Sequence, residues 1–185
     1  MTKLSTLFMI ALMLVATVAV IAQKEYPATN KNASNLSALD FMIGDWEGEG
    51  WIQMGRDRKT FKIKESFTRK LSGSLVVVDG LGTNINKETG LKEIIHTAYG
   101  VFYYDAKVDK IGFRYYKEDG TNGQTYPEFS ENKMVWGFIA EPSKSEIRFT
   151  EMVDVNGFWV ANGEVKPPGR DQWFPFFYMK LNRIK

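Results

Sequence analysis

Residues 60–71 read TFKIKESFTRKL. Counted in twos, Phe61, Ile63, Glu65, Phe67, Arg69 and Leu71 share one face, and Thr60, Lys62, Lys64, Ser66 and Thr68 share the other. That is the pattern of a β-strand with one buried and one solvated face, and no helical period competes with it. The apolar face carries a carboxylate and a guanidinium, and charges in such surroundings must be paired or hydrated. If the face looks into a closed sheet, Glu65 and Arg69 are the polar groups that orient a ligand in an apolar cavity. If it looks outward, they are a surface pair.

The same alternation recurs on both sides of this stretch. From Leu39 onward, apolar-alternating runs cover 46–54, 60–71, 74–81, 94–104, 111–117, 125–129, 134–140, 146–153, 158–165 and 172–184. Between them stand segments rich in Gly, Asp, Asn and Pro, such as 118–123, 154–157 and 167–171, which tolerate turn dihedrals. Strands joined by such short connections pair antiparallel, and a sheet of this many twisted strands curls or closes. The expected fold is therefore all-β, a single antiparallel up-and-down β-barrel of about ten strands over 39–185, with a two-sheet sandwich as the alternative. Pro175 lacks a ladder donor and Asn162-Gly163 interrupts a run, so irregularities are expected at both places. A single helical turn is expected over 37–43, with Ser37 as its cap.

Ahead of this domain, Lys3 precedes an apolar run from Leu7 to Ala22 that ends in small and β-branched residues. The pattern is that of a signal peptide over 1–22, cleaved after Ala22. The run is shorter than the roughly 20 residues of a membrane span, so an uncleaved anchor is the lesser alternative. Residues 23–38 are polar, aperiodic and contain Pro27, and so read as a flexible linker. The sequons at Asn32 and Asn35 inside it would matter only in a host that N-glycosylates. An exported product, periplasmic or secreted, and monomeric, is the expectation.

The chain has no Cys and one His, which removes disulfides, lipidated cysteine and Cys-ligated metals, and leaves no metal site to expect. Lys and Arg number 24 against 22 Asp and Glu, too even a balance for an electrostatic nucleic-acid binder.

Residues 39–51 read LDFMIGDWEGEGW. This stretch resembles the entry to the calycin barrels, lipocalins and fatty-acid-binding proteins among them, where Gly-x-Trp follows a helical turn and opens the first strand. Further along come KESFTRKLSGSLVVVDG at 64–80, HTAYGVFYYD at 96–105, FRYY at 113–116 and FFYMKLNR at 176–183. Together they look like an exported bacterial domain of unknown function with a barrel similar to nitrobindin. The resemblance implies a barrel floor of Gly44, Trp46 and a covering Arg183, and a small hydrophobic or amphipathic ligand. Nitrobindin-type barrels hold haem through a last-strand histidine, but 173–180 reads WFPFFYMK, with Tyr178 as the alternative ligand. No cofactor is therefore expected.

His96 is the natural acid–base candidate, and counting in twos places it with Ile94 and Ala98. A structural histidine is the plainer reading, since no Gly-x-Ser-x-Gly motif accompanies it. Arg114 lies between Phe113 and Tyr115, and Glu151 between Phe149 and Val153, which makes both candidates for the inner face. Among the aromatics, Tyr99, Tyr116 and Trp136 are candidate walls. The candidate ligand set is thus Glu65, Arg69, Tyr99, Arg114, Tyr116, Trp136 and Glu151. Three functions compete. The favoured one is a carrier of a small, mostly apolar molecule with an anionic or polar head, held by Arg69 and Arg114. The second is an isomerase or hydrolase with Glu65 or His96 as base. The third is a packed interaction module.

Overall fold

The computed structural model describes residues 31–185. The signal peptide expected over 1–22, and residues 23–30 of the linker expected over 23–38, lie outside the described residues. Within them no helix is long and apolar enough to cross a membrane.

A short helix, α1 (Lys31–Asn35), and a 3-10 turn (Ser37–Leu39) lead into eleven strands: β1 (Gly44–Met54), β2 (Asp57–Lys70), β3 (Leu75–Ile85), β4 (Lys92–Asp105), β5 (Lys110–Tyr116), β6 (Asn122–Thr125), β7 (Glu128–Ser130), β8 (Lys133–Ala140), β9 (Ser145–Val153), β10 (Trp159–Lys166) and β11 (Phe174–Arg183). They form one sheet in the order β6-β5-β4-β3-β2-β1-β11-β10-β9-β8-β7. Each described pair is antiparallel, and the β1–β11 ladder, from Trp46 opposite Arg183 to Ile52 opposite Phe177, joins the two halves of the chain. The count is one above the expected ten because Pro127 divides 125–129, leaving β6 and β7 as separate edges. Proline offers no N–H to a ladder, so the chain turns the corner there.

The sheet curls until its two ends meet through side chains. The ring of Tyr115 on β5 lies 5.1 Å from that of Phe138 and 5.8 Å from that of Trp136 on β8, and Phe113 meets Trp136 edge-on at 5.0 Å. Aromatic contacts, rather than a backbone ladder, bridge this seam.

The alternation read in 60–71 is the one observed: Phe61, Ile63, Glu65 and Phe67 are buried, while Lys62 and Lys64 are exposed. Two bulges modulate the pattern. Between β10 and β11 the register shifts at Gly163/Glu164, which face Phe177 and Pro175. The two irregularities expected from sequence are therefore one bulge, with Phe176 as its extra residue. Between β3 and β4 the register shifts at Gly82/Thr83, opposite His96 and Ile94. This corrects the shared face expected of Ile94 and His96: Ile94 is 59% exposed and the extra residue, Ile95, only 8%. A bulge adds one residue to one strand and resets the count in twos beyond it.

One end of the curled sheet is closed by the entry segment. Leu36, Leu39, Met42 and Trp46 are fully buried. The packed body thus begins before residue 39, and the C-terminal part of the expected linker belongs to it. Leu36, not Ser37, occupies the N-cap of the 3-10 turn, and no side chain caps it. Trp46 Nε1 donates to the Met42 carbonyl at 2.8 Å. Arg183 covers the indole with its guanidinium 4.2 Å from the ring centroid, and donates to the carbonyls of Phe41 (2.6 Å) and Ile43.

Candidate functional site

A cavity of about 200 Å3 opens inside the sheet, between β2 to β5 on one side and β8 to β11 on the other. Its walls are mostly aromatic and aliphatic, with Phe67, Val78, Phe102, Phe113, Phe149 and Phe177 among them. Three ionisable groups reach into this apolar space from the inner faces of three strands.

Glu65 is 4% exposed. Its register partner on β3 is Gly80, where a Cβ would lie 2.4 Å from Glu65 Cγ, so the glycine makes room for the carboxyl stem. Burial, then Glu151, then Asp79 push the Glu65 carboxyl well above the ordinary carboxylate range. His96 stands beside it, Nε2 3.8 Å from Glu65 Oε1, with its ring 5.6 Å from Phe61 and 5.0 Å from Phe177. Burial lowers the imidazole from 6.5 to about 4, so it is uncharged at neutral pH.

Glu151 is 7% exposed and accepts a hydrogen bond from Trp136 Nε1 at 2.6 Å. Burial raises this carboxyl from 4.5 to about 7, against the pull of the indole N–H groups of Trp136 and Trp159. Trp159 Nε1 is buried and completes no hydrogen bond. An unsatisfied buried donor costs about 1–3 kcal/mol, so it marks a place where a polar atom is wanted.

Tyr99 and Tyr116 are exposed cross-strand partners whose rings lie 5.9 Å apart at the cavity's lining. Lys117 follows them, its ammonium 5.3 Å from the Phe138 ring. A shallower cleft continues past His96 and Thr97 to Asp119, which places the mouth at this end of β4 and β5.

The two arginines expected to hold an anionic head are elsewhere. Arg69 pairs with Asp40 and reaches the carbonyls of Leu36 and Gly73 at 3.4 Å, tying the entry segment to the end of β2. Arg114 is exposed and donates to Gln124 Oε1 at 2.9 Å, because the larger aromatics Phe113 and Tyr115 take the inner face of β5. Arg69→Ala should therefore cost about 1 kcal/mol of stability, given its partly solvated partners, and leave affinity in the cavity unchanged. Chemical denaturation and calorimetry read the two separately, and a lost affinity at full stability would contradict this placement.

The rest of the expected set, Glu65, Tyr99, Tyr116, Trp136 and Glu151, is gathered around the cavity together with His96. The alternation in the sequence carries no signal for Lys117 at the mouth, nor for the uncompleted hydrogen bond of the Trp159 indole, which arises only where β9 and β10 meet at the cavity. Gly44, Trp46 and Arg183 meet at the closed end. On β11, Phe177 and Met179 line the cavity while Tyr178 alternates to the other face, so the last strand offers the cavity neither histidine nor tyrosine as a haem ligand. Among the described residues no group of three or more His, Cys, Asp or Glu is arranged to hold a metal ion.

Chemically, an imidazole near pKa 4 is a weak general base. At 3.8 Å the Glu65–His96 pair is also too long for a hydrogen bond.

No protein-family model matches the chain, and no curated protein matches it. Among solved structures, the crystal structure of Rv2717c from M. tuberculosis is similar over 82% of this chain and 98% of its own, with a TM-score of 0.58 at 10% identity. Lobster apocrustacyanin A1 superposes over 82% of this chain and 66% of its own, with a TM-score of 0.32 at 10% identity. The first likeness shows a shared fold.

Proposed function

We propose that this chain is an exported binding protein with a calycin-like, nitrobindin-like barrel, which holds a small, mostly apolar molecule by its polar head in the cavity between Glu65 and Glu151. The observation that carries the reading is the burial of two carboxyls and an unpartnered indole N–H around one aromatic-walled space. A packed core gains nothing from such groups, because each raises the free energy of folding unless something satisfies it. With Arg69 and Arg114 outside, the head is not an anion.

An engineered apolar cavity of about 150 Å3 holds one benzene ring, so about 200 Å3 suits a single ring and its head. Benzyl alcohol titrated into the purified protein should give saturable heat by calorimetry. Ala98 lines the cavity and is only partly buried, so Ala98→Phe should fill the space, keep a cooperative melting transition and abolish that heat. Equal binding in both proteins, or none in either, would refute the reading.

A further inference from the structure

Resting on that reading, we propose that the head group selected by this cavity is a protonated amine, paired with Glu151 and lying against the stacked rings of Trp136 and Phe149. The charges reaching the cavity interior are acidic: Glu65 from β2 and Glu151 from β9. The basic side chain of the lining, Lys117, stands at the mouth with its ammonium against Phe138. A cation entering this space therefore meets two carboxyls and no interior cation.

The walls add a second, independent preference. Trp136 and Phe149 stack at 4.5 Å with 16° between their planes, and Phe102 and Phe113 stack at 4.2 Å with 12°. Their π faces are electron-rich, and a desolvated ammonium over such a face is attracted by the ring quadrupole. Carboxyls and aromatic faces around one small space are the complement of an apolar amine, since the ring of the ligand packs while its ammonium donates up to three hydrogen bonds. The Glu151 carboxylate has about four acceptor sites, and Trp136 Nε1 uses one of them. An ammonium also holds Glu151 ionised, which strengthens it as an acceptor towards the indole N–H groups of Trp136 and Trp159.

The pH dependence follows from the groups that face Glu151. Around the cavity these are Glu65 on β2, His96 and Tyr99 on β4, Tyr115 and Tyr116 on β5, and Lys117 at the mouth; β3, β8, β10 and β11 present uncharged side chains there. Burial raises the Glu65 carboxyl and raises Tyr115 further above neutrality, and His96 is neutral above about pH 4. Glu151, which hydrogen-bonds Trp136 beside the proposed head, ionises around pH 7, so its charge changes against the ligand between pH 5.5 and 8.

The test compares benzylamine, benzyl alcohol and benzoate, ligands of one size and different charge, by calorimetry at pH 5.5 and 8. At pH 8 benzylamine should bind about tenfold more tightly than benzyl alcohol, as expected of one charge-assisted hydrogen bond. Its advantage should shrink towards pH 5.5, the alcohol should change little and benzoate should bind most weakly. Glu151→Gln, its fold checked by its melting transition, should lose both the amine preference and its pH dependence. Equal affinity of amine and alcohol at pH 8, or a preference that survives Glu151→Gln, overturns the amine assignment and leaves a neutral-ligand carrier standing. Failure of all three probes to bind overturns the carrier reading as well.

Discussion

Glu151→Gln should make the unliganded protein about 3 kcal/mol more stable than wild type at pH 8, and no more stable at pH 4. In the folded state the Glu151 carboxyl is raised from 4.5 to about 7. A group whose folded pKa lies above its unfolded one contributes stability that is present below about pH 4.5 and lost as pH rises through about 7. The difference, 7 − 4.5 = 2.5 units, corresponds to about 3 kcal/mol at roughly 1.4 kcal/mol per unit. Glutamine carries no charge to desolvate and can still accept from Trp136, so the loss at high pH disappears. Glu65 acts in the same direction, because its carboxyl is also raised. His96 acts in the opposite one: its folded pKa is lowered from 6.5 to about 4, so its contribution is present above 6.5 and lost as pH falls through about 4.

Between about pH 4.5 and 6.5 the His96 term opposes those of the two carboxyls, Glu151 and Glu65. Glu151→Gln removes one of the two carboxyl terms, so its stability should fall less than that of wild type as pH rises through this range. Urea denaturation of both proteins at half-unit pH steps reads this directly, and a pH-independent difference between them would show that Glu151 is not desolvated as the cavity places it. A residue that lowers stability at working pH persists when it serves binding. The stability gained by the variant should therefore accompany a loss of amine affinity.

Trp46→Ala should lower stability by about 3–5 kcal/mol, the range for truncating a fully buried large aromatic. Trp46 is wholly enclosed. Its N–H is bonded to the Met42 carbonyl, its ring meets Trp159 edge-on at 5.7 Å, and the Arg183 guanidinium covers it. Trp46→Phe keeps a ring against Trp159 and Arg183 but leaves the Met42 carbonyl without its donor, so about 1–2 kcal/mol is expected. Equilibrium unfolding orders the three proteins. A loss below about 1 kcal/mol for Trp46→Ala, outside the range for such truncations, would mean that the closed end tolerates a void and does not anchor the barrel. A typical domain is stable by about 5–15 kcal/mol, so the alanine variant should sit near the limit of folding at 37 °C.

Much of this architecture was legible without coordinates. The alternation in 60–71 put Phe61, Ile63, Glu65 and Phe67 on one face, and they are buried together, because a strand's side-chain period is a property of its own backbone. Pro175 marked an irregularity next to it because a missing N–H is a local fact. Glu151 was placed with Phe149 by the same counting, and both line the cavity.

The misplacements have a common form. Arg69 continues the inner face of β2 by count, yet the entry segment folds beneath that end of the strand and supplies Asp40 and the Leu36 carbonyl as partners. Those partners come from 29 and 33 residues away, and no periodicity connects them. Arg114 and Tyr115 compete for the inner face of β5, and the contact of Tyr115 with Trp136 and Phe138 across the seam decides it. Ile94 changes face because a bulge between β3 and β4 inserts Ile95.

By itself, then, the amino-acid sequence determined the strands, their antiparallel succession and the apolar face that carries Glu65, all of which follow from backbone period and turn chemistry within a few residues. Only the tertiary structure decided that Glu65, His96 and Glu151 share one cavity, that the Trp159 indole completes no hydrogen bond there, and that both candidate arginines stand outside it. Desolvation and pairing depend on which distant strands the curled sheet brings face to face, and that is a property of the closed whole rather than of any segment.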